Sequence, residues 1–582
     1  MLVFARFVTM RAPRLRFQLK PRELLVTAGV LAGVAAFALL GTYFSLDKSQ
    51  FHREAPGLLV SALFSMGRMT AAFILSLIFA FVYGFVAATR PQTRPYLLPL
   101  LDIGQSVPIP ALFPVVVVVF IQTTGSLFGT HRLGIELGCI FLIFSVQVWN
   151  LAFGVYEAIT QIPQDIRIAA DAFGLSSWTR LTHLYLPACC PKIVYNSIAS
   201  WANGWYFLTL CEVLDSERGF RVEGIGSYLG DAINPEFKPL KFVAGLSFVF
   251  AMVFAMEFFL WRPLTAWSQK FRYDSSGGAE DGSYMLVWWK RSRIATKLKA
   301  VARAAAYPIR AAFAGVYKQW PAVQVDIFNK WGPRLARFSF IGFFGGIGLL
   351  TVAGMVALAV SLIRPWPESA VSVPLALLFS TLRIAAAYFL TLCWTVPLAL
   401  WVARRPKIDS YVTPSAEILA AVPAVAVWPL LARAVQPVLG TDATAIVMLM
   451  TGMQWYLLFN LIEGMKRVPA DLKEASESLG LVGWNRNKYL YLPAMAPALV
   501  TGSVTAWGGG WNALIVAERF TVGNETYECD GIGSRLISAS GTGGNPVLLA
   551  LNMLAMLLMV SILNRAVWHR LYDYVESRYR FD

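Results

Sequence analysis

Two stretches of this 582-residue chain share one spacing of residues suited to holding a partner. They are IPQDIRIAADAFGLSSWTRLTHLYLPACCP at 162–191 and VPADLKEASESLGLVGWNRNKYLYLPAMAP at 468–497; in both, a proline precedes a glycine by 11 residues, and that glycine precedes the proline of a Leu-Pro pair by 13. Pro163 and Pro469 suit a first helical turn. Ile166, Ala169 and Phe173, and their partners Leu472, Ala475 and Leu479, then fall on one face of a short helix. Gly174 and Gly480 can close that helix in the left-handed conformation, after which the chain returns to Pro187 and Pro493. The chemistry this suits is docking: a short helix with a small-residue face (Ala169-Ala170, Ala475-Ser476), present twice.

Four ionisable residues also match in pairs. Arg68 and Arg383 lie near the outer ends of apolar segments, where snorkelling to lipid headgroups is the expected role and attraction of an anion the alternative. Glu212 and Glu518 lie near the outer ends of two other segments, beside Gly204 and the triplet Gly508-Gly509-Gly510, which allow close helix approach. Trp205, Tyr206, Trp511 and Asn512, with these glutamates, are the candidates for lining a central route; interfacial anchoring by the aromatics is the competing expectation. Nothing points to catalysis. Cys139, Cys189, Cys190, Cys211, Cys393 and Cys529 show no CxxC pairing, and His52, His131, His183 and His569 are scattered, so neither a zinc site nor a disulfide framework is expected. No GxxxxGK[ST] occurs, so the chain has no nucleotide site of that kind.

These residues must be positioned by membrane helices. The chain is 57% hydrophobic and 14% charged, and its apolar blocks approach the ~20 residues that cross a bilayer. In lipid only helices or closed barrels satisfy the backbone, and the blocks are too long for barrel strands. The expected fold is all-α, with twelve spans at about 24–44, 58–88, 98–121, 136–156, 189–213, 242–261, 338–362, 375–403, 414–436, 443–463, 495–517 and 548–568. The net charge of +16 does not imply a nucleic-acid partner, because much of it sits in 262–337, with 14 basic against 4 acidic residues. Placing that stretch, the basic residues before Leu24, and the Arg90/Arg94 and Arg404/Arg405/Lys407 loops inside the cell satisfies the positive-inside rule and puts both termini in the cytoplasm. The stretch interleaves aromatics with basic residues in MLVWWKRSRIATKLKAVARAAA, which suits a helix lying on the inner leaflet of the bilayer. A cysteine engineered at Ser276 is expected to be labelled from the cytoplasmic side; labelling from the outside would overturn this topology.

The chain is also a tandem repeat. Residues 63–91 align without gaps on 378–406 at an offset of 315, and Tyr96, Pro99, Asp102, Pro108 and Pro114 fall on Tyr411, Pro414, Glu417, Pro423 and Pro429. Beyond a nine-residue difference the offset becomes 306, and Trp149, Glu157, Trp201, Trp205 and Glu212 fall on Trp455, Glu463, Trp507, Trp511 and Glu518. Six spans per half keep the two halves parallel, with the axis along the membrane normal. The expected organisation is a first permease half at 1–261, a cytoplasmic basic linker at 262–337 and a second half at 338–582.

The paired loops resemble the EAA loop of ATP-binding-cassette importer permeases. The second copy carries it as Glu474-Ala475-Ser476, Gly480 and Leu492-Pro493; the first has Ile168 where that glutamate stands, followed by Ala169-Ala170, Gly174 and Leu186-Pro187. The runs VPAVAVWPLL (422–431), VPIPALFPVV (107–116), AWGGGWNALIVAERF (506–520) and WANGWYFLTLCEV (201–213), with Gly-Ile-Gly at 224–226 and 531–533, are similar to the nitrate, sulfonate (taurine) and bicarbonate group. The resemblance implies a type I importer permease, not itself an enzyme. It implies one chain working with two ATPase subunits that bind ATP and Mg, and with a periplasmic substrate-binding protein that delivers a small anion. A twelve-span transporter driven by an ion gradient would explain the repeat but not the two matched loops.

Overall fold

The computed structural model describes residues 48–271 and 360–579, apart from 107–119, 121–122, 130–131, 176, 218–221, 234–235, 361–362, 364, 421, 467, 523–524 and 541–544. The spans expected at 24–44 and 338–362 and the linker from 272 onward lie outside the described residues or almost entirely so.

The first half runs through α1 (Lys48–Thr89), α2 (Arg94–Ser106), α3 (Arg132–Thr160), α4 (Gln164–Ala172), α5 (Leu186–Glu217), α6 (Ile225–Asp231) and α7 (Pro239–Met256). The second half repeats the order: α8 (Val373–Ala403), α9 (Pro406–Ala420), α10 (Ala424–Lys466), α11 (Ala470–Ser478), α12 (Leu492–Glu518), an antiparallel hairpin of β1 (Arg519–Val522) and β2 (Glu525–Glu528), α13 (Ile532–Ser540), α14 (Pro546–Leu563) and α15 (Arg570–Tyr579). Six helical segments among the described residues are long and apolar enough to cross a membrane. The expected spans 189–213 and 495–517 are found within α5 and α12, but Trp, Gly and Asn in WANGWYF and AWGGGWN dilute their apolar runs.

One expectation is corrected. The span proposed at 414–436 is not one helix: α9 ends at Ala420 and α10 begins at Ala424. Pro423 disfavours helical backbone at Val422 and removes a donor, so the helix stops and restarts. α10 is itself broken at Gly440, where φ is 80° and ψ is −179°, so the helix before that residue and the helix after it stay separate, as expected for spans nine and ten.

Residues 19–257, 271–273 and 366–582, which hold both repeated regions, form one unit; 1–18, 258–270 and 274–365 form a second. In the second unit, the helix Arg262–Ser268 carries Trp267, whose ring lies 4.4 Å from the Lys270 ammonium.

Packing in the first unit repeats as faithfully as sequence. α1 and α5 pack on α3, as α8 and α12 pack on α10. Near the loops, Val155, Ile159, Ile162, Leu184, Ala188 and Cys189 form one apolar cluster. Leu461, Met465, Val468, Leu490, Ala494 and Met495, each 306 residues on, form its counterpart. A larger cluster joins the halves, with Cys139, Leu142, Phe207 and Leu210 packed with Met448, Met453, Trp511 and Leu514.

Candidate functional site

Both loops fold into the short helix their prolines and glycines specify. Pro163 and Pro469 stand in extended backbone immediately before α4 and α11. Gly174 and Gly480 have φ of +59° and +66°, and the amides of Leu175 and Leu481 bond back to Ala170 O and Ser476 O. Duplicate ion pairs brace the return: Arg180 with Asp171, and Arg486 with Glu477. The chain then winds through a π turn, Leu181–Tyr185 or Asn487–Tyr491, into the next membrane helix. Pro187 and Pro493, both half-buried, occupy that helix's first turn.

The loop helices do not present the single face expected from Ile166, Ala169 and Phe173. Ile166 and Ala170 turn inward onto the membrane helices, as do Leu472 and Ser476. That is an i, i+4 stripe on the inner face. What remains exposed is Ile168 (63%), Ala169 and Phe173 (66%) on one helix, and Glu474, Ala475 and Leu479 (77%) on the other. The outward face therefore carries apolar residues beside one exposed aspartate in both copies, Asp165 and Asp471, with the Glu474 carboxylate added in the second.

At the end of the spans away from the two loops, Arg68 and Arg383 do not snorkel. Arg68 is buried, with Nη1 donating to Glu212 Oε1 at 2.8 Å and Nε and Nη2 donating to Glu136. Glu212 is wholly buried and also accepts from Ser65 Oγ (2.7 Å) and from the Gly226 amide (2.8 Å), while Ser65 Oγ accepts the Ile225 amide at 2.9 Å. The second half repeats these contacts and adds one, from the Arg383 guanidinium to the Asp530 carbonyl (3.1 Å). Arg383 donates to Glu518 (2.8 Å) and Asp442 (2.7 Å), Ser380 Oγ donates to Glu518 (2.6 Å), the Gly533 amide donates to Glu518 (2.7 Å), and the Ile532 amide donates to Ser380 Oγ (2.8 Å). Each network ties three membrane helices to the short helix that follows, α6 or α13. It also explains the Gly-Ile-Gly pairs: a Cβ on Gly224 or Gly531 would fall 2.1 Å or 2.2 Å from the buried carboxylate.

The two halves therefore share loops, cores and buried ion pairs in one register. The family described as binding-protein-dependent transport system inner membrane component matches residues 76–261 and again 395–581. The chain belongs to that family. Among similar proteins, a Methanocaldococcus jannaschii protein provisionally named an ABC transporter permease is 26% identical over 202 residues, 35% of this chain and 70% of that protein. The nitrate import permease protein NrtB of Synechococcus elongatus is 24% identical over 178 residues, 31% of this chain and 58% of NrtB. The bicarbonate transport system permease protein CmpB of a Synechocystis species is 28% identical over 136 residues, 23% of this chain and 48% of CmpB. The matches thus span from about half to seven tenths of these relatives' lengths.

In this two-domain permease the halves meet along α5 and α10. Tyr456 Oη donates to Asn203 Oδ1 at 2.9 Å, and the Tyr206 ring packs edge-on against Trp428 at 6.0 Å. The Tyr206 hydroxyl is buried and makes no hydrogen bond among the described residues. Above these contacts a cavity of about 60 Å³ is lined by Thr209, Leu229 and Ile233 from the first half and Trp428, Met448 and Arg519 from the second. Trp205 and Trp511 are buried in the helix packing, and Asn512 is half-buried. Gly204 and Gly509 do permit close approach: an added Cβ would meet Gln147 Nε2 at 2.4 Å and Gly452 O at 2.9 Å.

Sequence reading found the arginines, the glutamates and the Gly-Ile-Gly pairs but not that they bind one another. The signal was available, since all three recur together in both halves.

Proposed function

We propose that this permease forms the translocation pathway of an ATP-driven importer for a small anion of the nitrate, bicarbonate or sulfonate type, and that α4 and α11 transmit the work of two separate ATPase subunits. The observation that carries this reading is the pair of loop helices: each is locked inward by Ile166/Ala170 or Leu472/Ser476, and each leaves apolar side chains, Ala169 and Phe173 or Ala475 and Leu479, exposed for a partner. Two equivalent faces related by an internal repeat suit a dimeric partner with two grooves. ATP and Mg are then held by that partner, and closure of its dimer draws the loops together so that the halves rock between inward-open and outward-open. A periplasmic binding protein delivers the anion at the face bearing α6, the β hairpin and α13. Orientation with both termini in the cytoplasm follows from the charge distribution.

The anion reading rests on similarity to NrtB and CmpB; Arg519, which lines the cavity, is paired with Glu528 at 3.0 Å. It is tested by reconstituting the permease with its ATPase subunits and binding protein in liposomes and measuring uptake of labelled nitrate, bicarbonate and taurine. Uptake of one of them that requires ATP is expected. Uptake driven by an ion gradient without ATP would establish the secondary-transporter alternative.

The two loops should respond differently to charge. Glu474→Lys replaces a possible charge-assisted bond with repulsion, whereas Ile168→Lys places a charge on an apolar contact. The ATPase defect of Glu474→Lys should therefore shrink at high salt and that of Ile168→Lys should not. Equal salt dependence would refute unequal coupling.

A further inference from the structure

We propose that Asn203, Tyr206 and Tyr456 form the constriction that touches the transported anion, and that it is recognised there by neutral O–H and N–H donors with no fixed positive charge. This deepens the small-anion reading above and rests on it. Asn203, Tyr206 and Thr209 follow one another at three-residue intervals on α5 and so share a face; Thr209 lines the cavity between the halves, and Trp428, which also lines it, packs against Tyr206. The cavity thus adjoins Tyr206 through Trp428 and through Thr209, one helical turn along α5.

The chemistry of the seam is unusual. No Lys, Arg or His occurs at 193–217, 443–465 or 492–518, the segments of α5, α10 and α12 that surround it. The carboxylates of Glu212 and Glu518 are consumed by Arg68 and Arg383. Where α5 meets α10, Asn203, Tyr206 and Tyr456 bring together two phenols and a carboxamide. Among the described residues the buried Tyr206 hydroxyl has no partner, which by itself destabilises the fold, and Asn203 meets Tyr456 through its oxygen while its amide nitrogen donates to none of them. Such donors hold an anion weakly enough to release it, as conduction requires, whereas a buried cation would trap it.

The cluster is also absent from the repeat. Gly509 stands where Asn203 stands, and Asn150 stands where Tyr456 stands. The Tyr456 ring lies over Gly509, 2.9 Å from where a Cβ would be. A pathway on the pseudo-twofold can be crossed by one cluster, and the halves have diverged at the positions that build it.

The test uses the complete complex in liposomes with nitrate, bicarbonate and taurine as probes. Tyr206→Phe removes only a hydroxyl that bonds nothing, so a purely structural role predicts unchanged uptake and an unchanged or raised unfolding temperature. The proposal predicts that same unfolding temperature with uptake at subsaturating anion reduced about tenfold, the scale of one lost hydrogen bond to a charged group. Asn203→Asp keeps the acceptor for Tyr456 and adds negative charge; a loss of at least about tenfold is expected from like-charge repulsion. Uptake unaffected in both variants, with wild-type uptake of an anion intact, overturns the constriction and leaves the importer reading standing. Wild-type uptake of none of the three probes overturns the anion reading and the constriction together.

Discussion

Arg68→Ala is expected to destabilise the permease by about 3–5 kcal/mol, the scale on which one partner of a buried ion pair is missed. The guanidinium is the only cation facing the wholly buried Glu212 carboxylate among the described residues, and Glu136, the other partner, is itself two-thirds covered. Its removal leaves a buried carboxylate held only by the neutral donors Ser65 Oγ and the Gly226 amide, with no cation among the described residues to balance it. The double variant Arg68→Ala/Glu212→Gln should recover much of the loss, because an amide can still accept from Ser65 and the Gly226 backbone. Arg383→Ala should be milder: its second carboxylate, Asp442, has 71% of its side chain exposed and can be hydrated. The measurement is the temperature of half-unfolding in detergent across this double-mutant cycle. Equal, additive losses in all single and double variants would show that the pairs are not coupled.

Gly480→Val, and equally Gly174→Val, should reduce ATPase stimulation by the assembled complex at least tenfold. At φ of +66° and +59° a β-branched residue is strongly disfavoured. The strain is conformational, since an added Cβ at either position meets nothing within 4 Å. A cost of about 1–2 kcal/mol is enough to straighten a cap that holds only nine helical residues. Asn tolerates the left-handed region, so Gly480→Asn should retain most stimulation. If Val and Asn behaved alike, backbone conformation would not be what the glycine supplies.

Sequence alone showed the helical membrane fold, the parallel repeat and the loop helices, because each is written in local signals: span-length apolar runs, a fixed offset, and a proline and glycine at helix ends. It did not show which face of a loop helix points inward. Ile166 and Phe173 are both apolar and lie on a common stripe, and only the position of α3 and α5 decides that Ile166 packs and Phe173 stays exposed. Arg68 was legible as an exception within an apolar segment, but its partner lies 144 residues away, beyond any local pattern. The break between α9 and α10 was written in Val422-Pro423 and was obscured by the apolar run on both sides. Where the halves diverge, at Asn203 against Gly509, repeat alignment carried no information, and the seam became visible only in three dimensions.

The central claim is that one chain supplies both halves of the permease and both ATPase contacts. Mass measurement of the solubilised complex tests it most directly. One copy of this chain with two ATPase subunits is the expected composition; two copies of this chain for each pair of ATPase subunits would contradict it.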